Sequence, residues 1–170
     1  MTFANYPSLR GRTVFVTGGA SGIGAAEVSH FAEQGAKVAF VDINDEAGHA
    51  LSKTLRDAGH PEPFYQHCDL KNIEQLRDAI RNAGEKLGPV TVLVNNAAND
   101  QRHNWEDVTV EFWDERMATN LRHQFFAIQA VAPMMRAAGA ARSSISDRFR
   151  GIPIMAICPL TPPRRPPSRG

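Results

Sequence analysis

Apolar residues along this chain follow two alternating rhythms. Arg12 to Thr17, Ala36 to Val41 and Val90 to Val94 are short runs rich in β-branched side chains with little polar interruption, the pattern of strands whose sheet is covered on both faces. Between them apolar positions recur every three or four residues, as helices require. The first such stretch carries Ile23, Ala26, Phe31 and Ala32 and closes at Gly35; the second runs from Asp45 to Ala58 and closes at Gly59. Glu62 to Cys68 reads as a weaker third strand with two prolines near its start, and Lys71 to Leu87 as a helix buried through Ile73, Leu76, Ile80 and Leu87. Glu106 to Ala138 reads as one long helical stretch broken only at Pro133.

Strands separated by helices of this length imply right-handed crossovers and a parallel sheet. The expected fold is α/β, a three-layer, doubly wound parallel sheet, ending after four to five strands. Ligands on such sheets bind beyond the carboxyl ends of the strands, where the strand order reverses. The residues just after each strand are therefore the ones to inspect.

Composition narrows the class. The 170 residues are 42% apolar, with 19 Lys and Arg against 18 Asp and Glu, which argues against a disordered chain, a disulfide scaffold or a polybasic nucleic-acid binder. No run approaches the roughly 18 apolar residues of a membrane span, and the start lacks a secretory pattern. Cys68 and Cys158 lack the paired spacing of a metal or redox site. A cytoplasmic protein without metal, membrane or nucleic-acid partner is expected. The near-neutral total, however, conceals a break. Residues 1–138 carry 13 basic and 17 acidic side chains, whereas residues 139–170 carry 6 and 1 and hold six of the eleven prolines. The expected division is a nucleotide-binding part over 1–138 and an Arg/Pro-rich tail over 139–170.

After the first strand comes Gly18-Gly19-Ala20-Ser21-Gly22-Ile23-Gly24, leading straight into a helix. Glycines at 18, 22 and 24 allow a tight turn, close approach to a pyrophosphate and helix-on-strand packing, while the helix start supplies unpaired N–H groups. Glycines also serve ordinary turns, but the strand-turn-helix context is the one this chemistry needs. Asp42, after the second strand, is placed to accept both hydroxyls of an adenosine ribose and to repel a 2′-phosphate, favouring NAD over NADP. Its other readings are a solvated loop acid or a helix N-cap.

Thr17 to Gly24 resembles the TGxxxGxG turn of the short-chain dehydrogenase/reductases. Cys68-Asp69-Leu70 is similar to the adenine-contacting segment of that family. Asn95-Asn96-Ala97-Ala98 is similar to its NNAG, with Ala98 replacing the glycine, and Asn120 in Met117-Ala118-Thr119-Asn120-Leu121 matches its water-holding asparagine. The resemblance implies a Rossmann-like fold and NAD held by Thr17, Gly18, Ser21, Gly22, Ile23 and Gly24, with Asp42, Asp69, Leu70, Asn96 and Ala97. It implies a catalytic role for Asn120 and homo-oligomers among full-length members. Tyr6-Pro7-Ser8-Leu9, Trp113-Asp114-Glu115-Arg116 and Asn120-Leu121-Arg122-His123 further resemble the sugar 1-dehydrogenases of D-xylose type, which oxidise an anomeric carbon. That branch places Asn99, Asp100, Arg102 and His103 at the mouth of a substrate pocket. As polar loop residues they fit solvent equally well.

Removing hydride from a carbinol carbon requires a base for the hydroxyl proton and a donor for the developing oxyanion. The resembling family uses a Tyr with a Lys four residues later and an earlier Ser. Here the only tyrosines are Tyr6 and Tyr65, and the last lysine is Lys86. Ser143, Ser144 and Ser146 stand near the family's serine position without those partners. Ile152 to Cys158 is an edge strand at best because of Pro153, and Pro159 to Pro167 reads as extended chain. A reading-frame slip after about Ala140 accounts for the break. A one-nucleotide shift permits a Tyr-x-x-x-Lys helix in place of residues 160–169 and a serine-bearing strand end in place of 141–151. Sequencing the gene around codon 140 tests this. The expected function is hydride transfer from an alcohol, most specifically a sugar, to NAD, with this chain catalytically incomplete. The alternative is a non-catalytic dinucleotide-binding module whose Pro/Arg-rich tail binds a partner.

Overall fold

The computed structural model describes residues 4–139. The serines 143, 144 and 146, the possible edge strand over 152–158 and the Pro/Arg segment lie outside the described residues. Within them the chain alternates β1 (Thr13–Thr17), α1 (Gly22–Glu33), β2 (Lys37–Asp42), α2 (Asp45–Asp57), β3 (Phe64–His67), α3 (Ile73–Leu87) and β4 (Val90–Asn95), then α4 (Val110–Met117) and α5 (His123–Ala137).

All strand pairs are parallel, in the order β3-β2-β1-β4. The chain winds outward through β2 and β3, then crosses back over β1 to place β4 on its other side. That reversal puts a crevice at the carboxyl ends of β1 and β4. β1, β2 and β4 are largely apolar because both faces are covered, whereas β3 is only half-buried and carries Gln66 and His67. Val14, Val16, Val38 and Phe40 pack against Val28 and Ala32 of α1 and Leu55 of α2. Phe15, Ala39, Val41 and Leu93 pack on the other face against Leu76, Ile80 and Ala83 of α3 and Ala127, Val131 and Met135 of α5. Each fully buried Val, Leu or Phe contributes roughly 1.5–3 kcal/mol. The two cores make the three-layer Rossmann-like sandwich that the alternating patterns imply.

Local signals set the helix starts. Asn44 and Asn72 cap α2 and α3, their side-chain oxygens accepting the N–H of Ala47 and of Glu74 and Gln75. The long stretch from Glu106 to Ala138 differs from the single helix expected. A 3-10 turn covers Trp105–Asp107, and Thr109 then caps a fresh start by accepting the Phe112 N–H at 3.2 Å. A π-helical turn over Ala118–Arg122 joins α4 to α5. Pro133, expected to break the helix, sits inside α5 on an exposed position. Its ring costs one backbone hydrogen bond, and Val131 and Met135, buried on either side of it, hold the helix against the sheet. Among the described residues no helix is long and apolar enough to cross a membrane.

Candidate functional site

The glycine turn is strapped to its neighbours by backbone hydrogen bonds. The N–H groups of Gly18 and Gly19 both donate to the Val41 carbonyl, at 2.8 and 3.1 Å, tying the turn to β2. A Cβ on Gly18 would lie 2.9 Å from Ala97, and one on Gly24 would overlap the Gly18 carbonyl and crowd the Asn96 amide at 2.5 Å. Gly22 is different: its φ of +55° strains any L side chain, yet nothing lies within 4 Å of the Cβ position. That open space faces the start of α1, where the Ser21 side chain caps no N–H group. Ser21, Gly22 and Ile23 are exposed. Unsatisfied donors, the positive end of a helix and vacant room above glycine together suit an anion such as pyrophosphate.

Thr17 and Asn96 support this turn from beneath. Thr17 is fully buried, and its hydroxyl oxygen accepts the N–H of Asn96 at 3.1 Å and of Ala97 at 3.2 Å. In return the Asn96 amide donates to the carbonyls of Thr17 (3.2 Å) and Gly18 (2.9 Å). These contacts stitch the ends of β1 and β4 together across the crevice. Ala97 is half-buried against Gly18.

Asp42 ends β2 and turns its carboxylate toward the glycine turn. Its Oδ2 accepts the Ala20 N–H at 3.0 Å; its Oδ1 accepts Ile43 at 2.8 Å and Asn44 at 3.1 Å. It is neither a freely solvated acid nor a helix cap, since Asn44 caps α2. Of the roughly four bonds a carboxylate accepts, one position on Oδ2 stays open. At the end of β3, the Asp69 carboxylate accepts the Lys71 N–H at 2.9 Å while its own N–H donates to Gln75. Leu70 belongs to the core under α3. Burial, helped by the Asp69 charge, pushes the Cys68 thiol up to about 12.

The π turn carries Asn120 to the same rim. Its Oδ1 accepts the Asn99 N–H at 2.7 Å and its Nδ2 donates to the Asn99 carbonyl at 3.0 Å. This two-way clamp fixes where the chain leaves β4, and the Asn120 carbonyl itself accepts Gln124 Nε2 at 2.8 Å. Asp100, Arg102 and His103 continue outward as an exposed loop. His103 there packs edge-on against Phe112, with centroids 4.3 Å apart.

Sequence reasoning passed over several residues at this rim. Arg116 of α4 lies over the Phe112 ring and donates to Gln101 at 3.1 Å, anchoring the loop; nothing in a lone arginine on a helix announces this. Asn95 is buried with its side-chain amide atoms unpaired, and His123 is fully buried with the Thr119 carbonyl beside its ring. Burial lowers the His123 imidazole to about 4, only partly opposed by the Thr119 carbonyl. Among the described residues no three His, Cys, Asp or Glu side chains converge on a metal position.

A parallel sheet reversing at this crevice, with a glycine turn after β1 and an acid after β2, defines a dinucleotide-binding class of protein. The sequence profile of the short chain dehydrogenases matches residues 12–145, and the chain belongs to that family. It is 52% identical over 140 residues to D-xylose 1-dehydrogenase of Caulobacter vibrioides, covering 82% of this chain and 54% of that protein. It is also 52% identical over 136 residues to the probable galactose dehydrogenase GalD of Rhizobium meliloti, covering 80% and 53%. Among solved structures, gox2181 superposes with a TM-score of 0.74 at 32% identity, covering 82% of this chain and 54% of that one. A blue fluorescent protein from a metagenomic library, in complex with NADPH, superposes with a TM-score of 0.71 at 37% identity, covering 75% and 52%. The chain spans about half the length of the curated relatives it matches.

Proposed function

We propose that this chain is the cofactor-binding part of an NAD-dependent oxidoreductase acting on an alcohol, specifically the anomeric carbon of a free sugar. The observation that carries this is the pairing of the glycine turn, open above Gly22, with Asp42 across the ends of β1 and β2. The N–H groups at the start of α1 receive the pyrophosphate over Gly22, and Asp42 offers its open Oδ2 position to the adenosine ribose. Asp69 and Leu70 border the adenine; Asn96 and Ala97 line the path toward the nicotinamide. A 2′-phosphate beside the Asp42 carboxylate meets like charge, which favours NAD. When bound, the nicotinamide ring accepts the hydride. Asn120 holds the end of β4 in register with that path, and Asn99, Asp100, Arg102 and His103 edge the substrate side.

The sugar assignment rests on the 52% identity to the xylose and galactose enzymes. Completion of the chemistry needs a base, and no tyrosine occurs after Tyr65 and no lysine after Lys86. The chain therefore binds without turning over, as a nucleotide-binding part over 1–138 joined to a tail over 139–170. It resides in the cytoplasm. That same lack of a Tyr-x-x-x-Lys pair favours, as the second reading, a standing dinucleotide-binding module with a partner-binding tail. Titrating the full chain with NADH by fluorescence, and assaying NADH formation from NAD with D-xylose and D-galactose, tests both. Saturable NADH binding without turnover is the expected result. Sugar-dependent NADH formation overturns the incompleteness; no binding overturns the cofactor assignment.

A further inference from the structure

A cavity that none of the cofactor contacts above uses lies along β3. This strand ends the sheet: among the described residues nothing pairs with its outer edge, and β2 separates it from β1 and the glycine turn. The cavity opens on that edge between α2, which contributes His49 and Ser52, and the end of α3, which contributes Lys86 and Leu87. Its volume of about 270 Å³ is just under the roughly 300–1,000 Å³ of drug-sized sites, so it suits a smaller ligand.

Donors in these walls outnumber the acceptors left to meet them. The Glu62 carboxylate takes Arg56 Nη1 at 3.1 Å, which offsets its charge. The Tyr65 phenol proton is turned to Asp45 Oδ1, 2.7 Å away. Three other groups have no hydrogen-bond partner among the described residues. The Ser52 hydroxyl is buried and unpaired in a residue only 7% exposed. His49 meets Tyr65 edge-on, with centroids 5.0 Å apart, and an imidazole carries an N–H in either protonation state. The Lys86 ammonium lies 4.2 Å from the centroid of the Phe64 ring and makes no ion pair among the described residues. A buried hydroxyl without a partner is destabilising until something pairs with it, and the staggered rotamers of serine let it turn toward the cavity. With Glu62 balanced by Arg56, Lys86 sets the sign of the field. The matching ligand carries a negative charge for Lys86, acceptor oxygens for the donors and an apolar body against Pro63 and Leu87.

We propose that this cavity is a second binding site, separate from the nucleotide crevice, for a small monocarboxylate with an apolar body. It does not depend on the dinucleotide reading above. The test titrates the full chain with three probes while NMR follows the backbone amide shifts. Benzoate carries both charge and body, benzyl alcohol the same ring without the charge, and inorganic phosphate the charge without the body. The variants are Lys86→Met, which keeps an apolar stem and removes the ammonium, and Ser52→Ala, which removes only the hydroxyl.

Benzoate is expected to shift His49, Ser52, Phe64 and Lys86 saturably, at about millimolar concentration for so small a ligand, while Gly18 and Gly19 stay in place. Benzyl alcohol and phosphate should each bind at least about tenfold more weakly, as each lacks one half of the match. Lys86→Met should weaken benzoate at least about tenfold and Ser52→Ala about three- to tenfold, the worth of a charged and of a neutral hydrogen bond. Any one of four results overturns the proposal: no saturable shift with benzoate, shifts centred on the glycine turn in place of β3, either control probe binding as tightly as benzoate, or Lys86→Met binding benzoate as the wild type does. The wild-type titrations decide the first three without any variant.

Discussion

His123 should make the folded chain sensitive to mild acid. It opens α5 fully buried, its ring against the Thr119 carbonyl, and its imidazole is lowered from 6.5 to about 4 chiefly by burial. A histidine in the unfolded chain takes up its proton as pH falls through about 6.5; the folded one refuses it until about 4. Between those values the unfolded state binds more protons, so stability falls as pH falls. Above 6.5 this group contributes no slope, and below about 4 its loss is complete. At about 1.4 kcal/mol for each pH unit, the total is about 3 kcal/mol, a large share of an ordinary domain's stability. Carboxylates titrate in the same range, so the measurement is the difference between the wild-type chain and His123→Leu, which keeps a buried side chain and cannot protonate. Urea unfolding of both at pH 7 and pH 4 should show the wild type losing about 3 kcal/mol more than the variant. With a slope of about 1–3 kcal/mol per molar urea, that is a relative midpoint shift of about 1–3 M. Parallel losses in the two proteins refute the reasoning, because the imidazole would then be exposed.

Two further outcomes concern the crevice. Thr17→Val, close in shape, leaves the buried N–H groups of Asn96 and Ala97 without their shared acceptor; about 2–4 kcal/mol of stability should be lost by urea unfolding. Gly24→Ala places a methyl group into the Gly18 carbonyl and against the Asn96 amide. The turn must open, and NADH affinity by fluorescence titration should fall by at least about tenfold, the equivalent of 1.4 kcal/mol.

The parts of the site that could be read along the chain are those whose physics is local. The turn from Gly18 to Gly24 and the acid at 42 follow directly on strands that their own apolar runs mark out. The switch from unbroken to three-or-four spacing names the next element as helix, so the alternation alone yields the sandwich. The join between α4 and α5 was not legible, because a π turn differs from an α turn by one residue of hydrogen-bond register and leaves the apolar spacing nearly intact. Pro133 misled for the opposite reason: its local penalty is real, but burial of Val131 and Met135 outweighs one lost hydrogen bond.

The sequence by itself determined the order of strands and helices, the glycine turn, the acid beside it and the lack of a tyrosine and lysine pair downstream. Each depends only on residue type and neighbours a few positions away. Tertiary structure decided how those groups are held against one another. The hydrogen bonds of Thr17 and Asn96 link the ends of β1 and β4, and Asn120 grips Asn99 from 21 positions away. Tyr65 comes to Asp42 and Asp45 only because β3 lies beside β2 and Gly48 leaves room. Such contacts join residues distant in sequence through the pairing of strands and the packing of helices, and no local pattern encodes the partner.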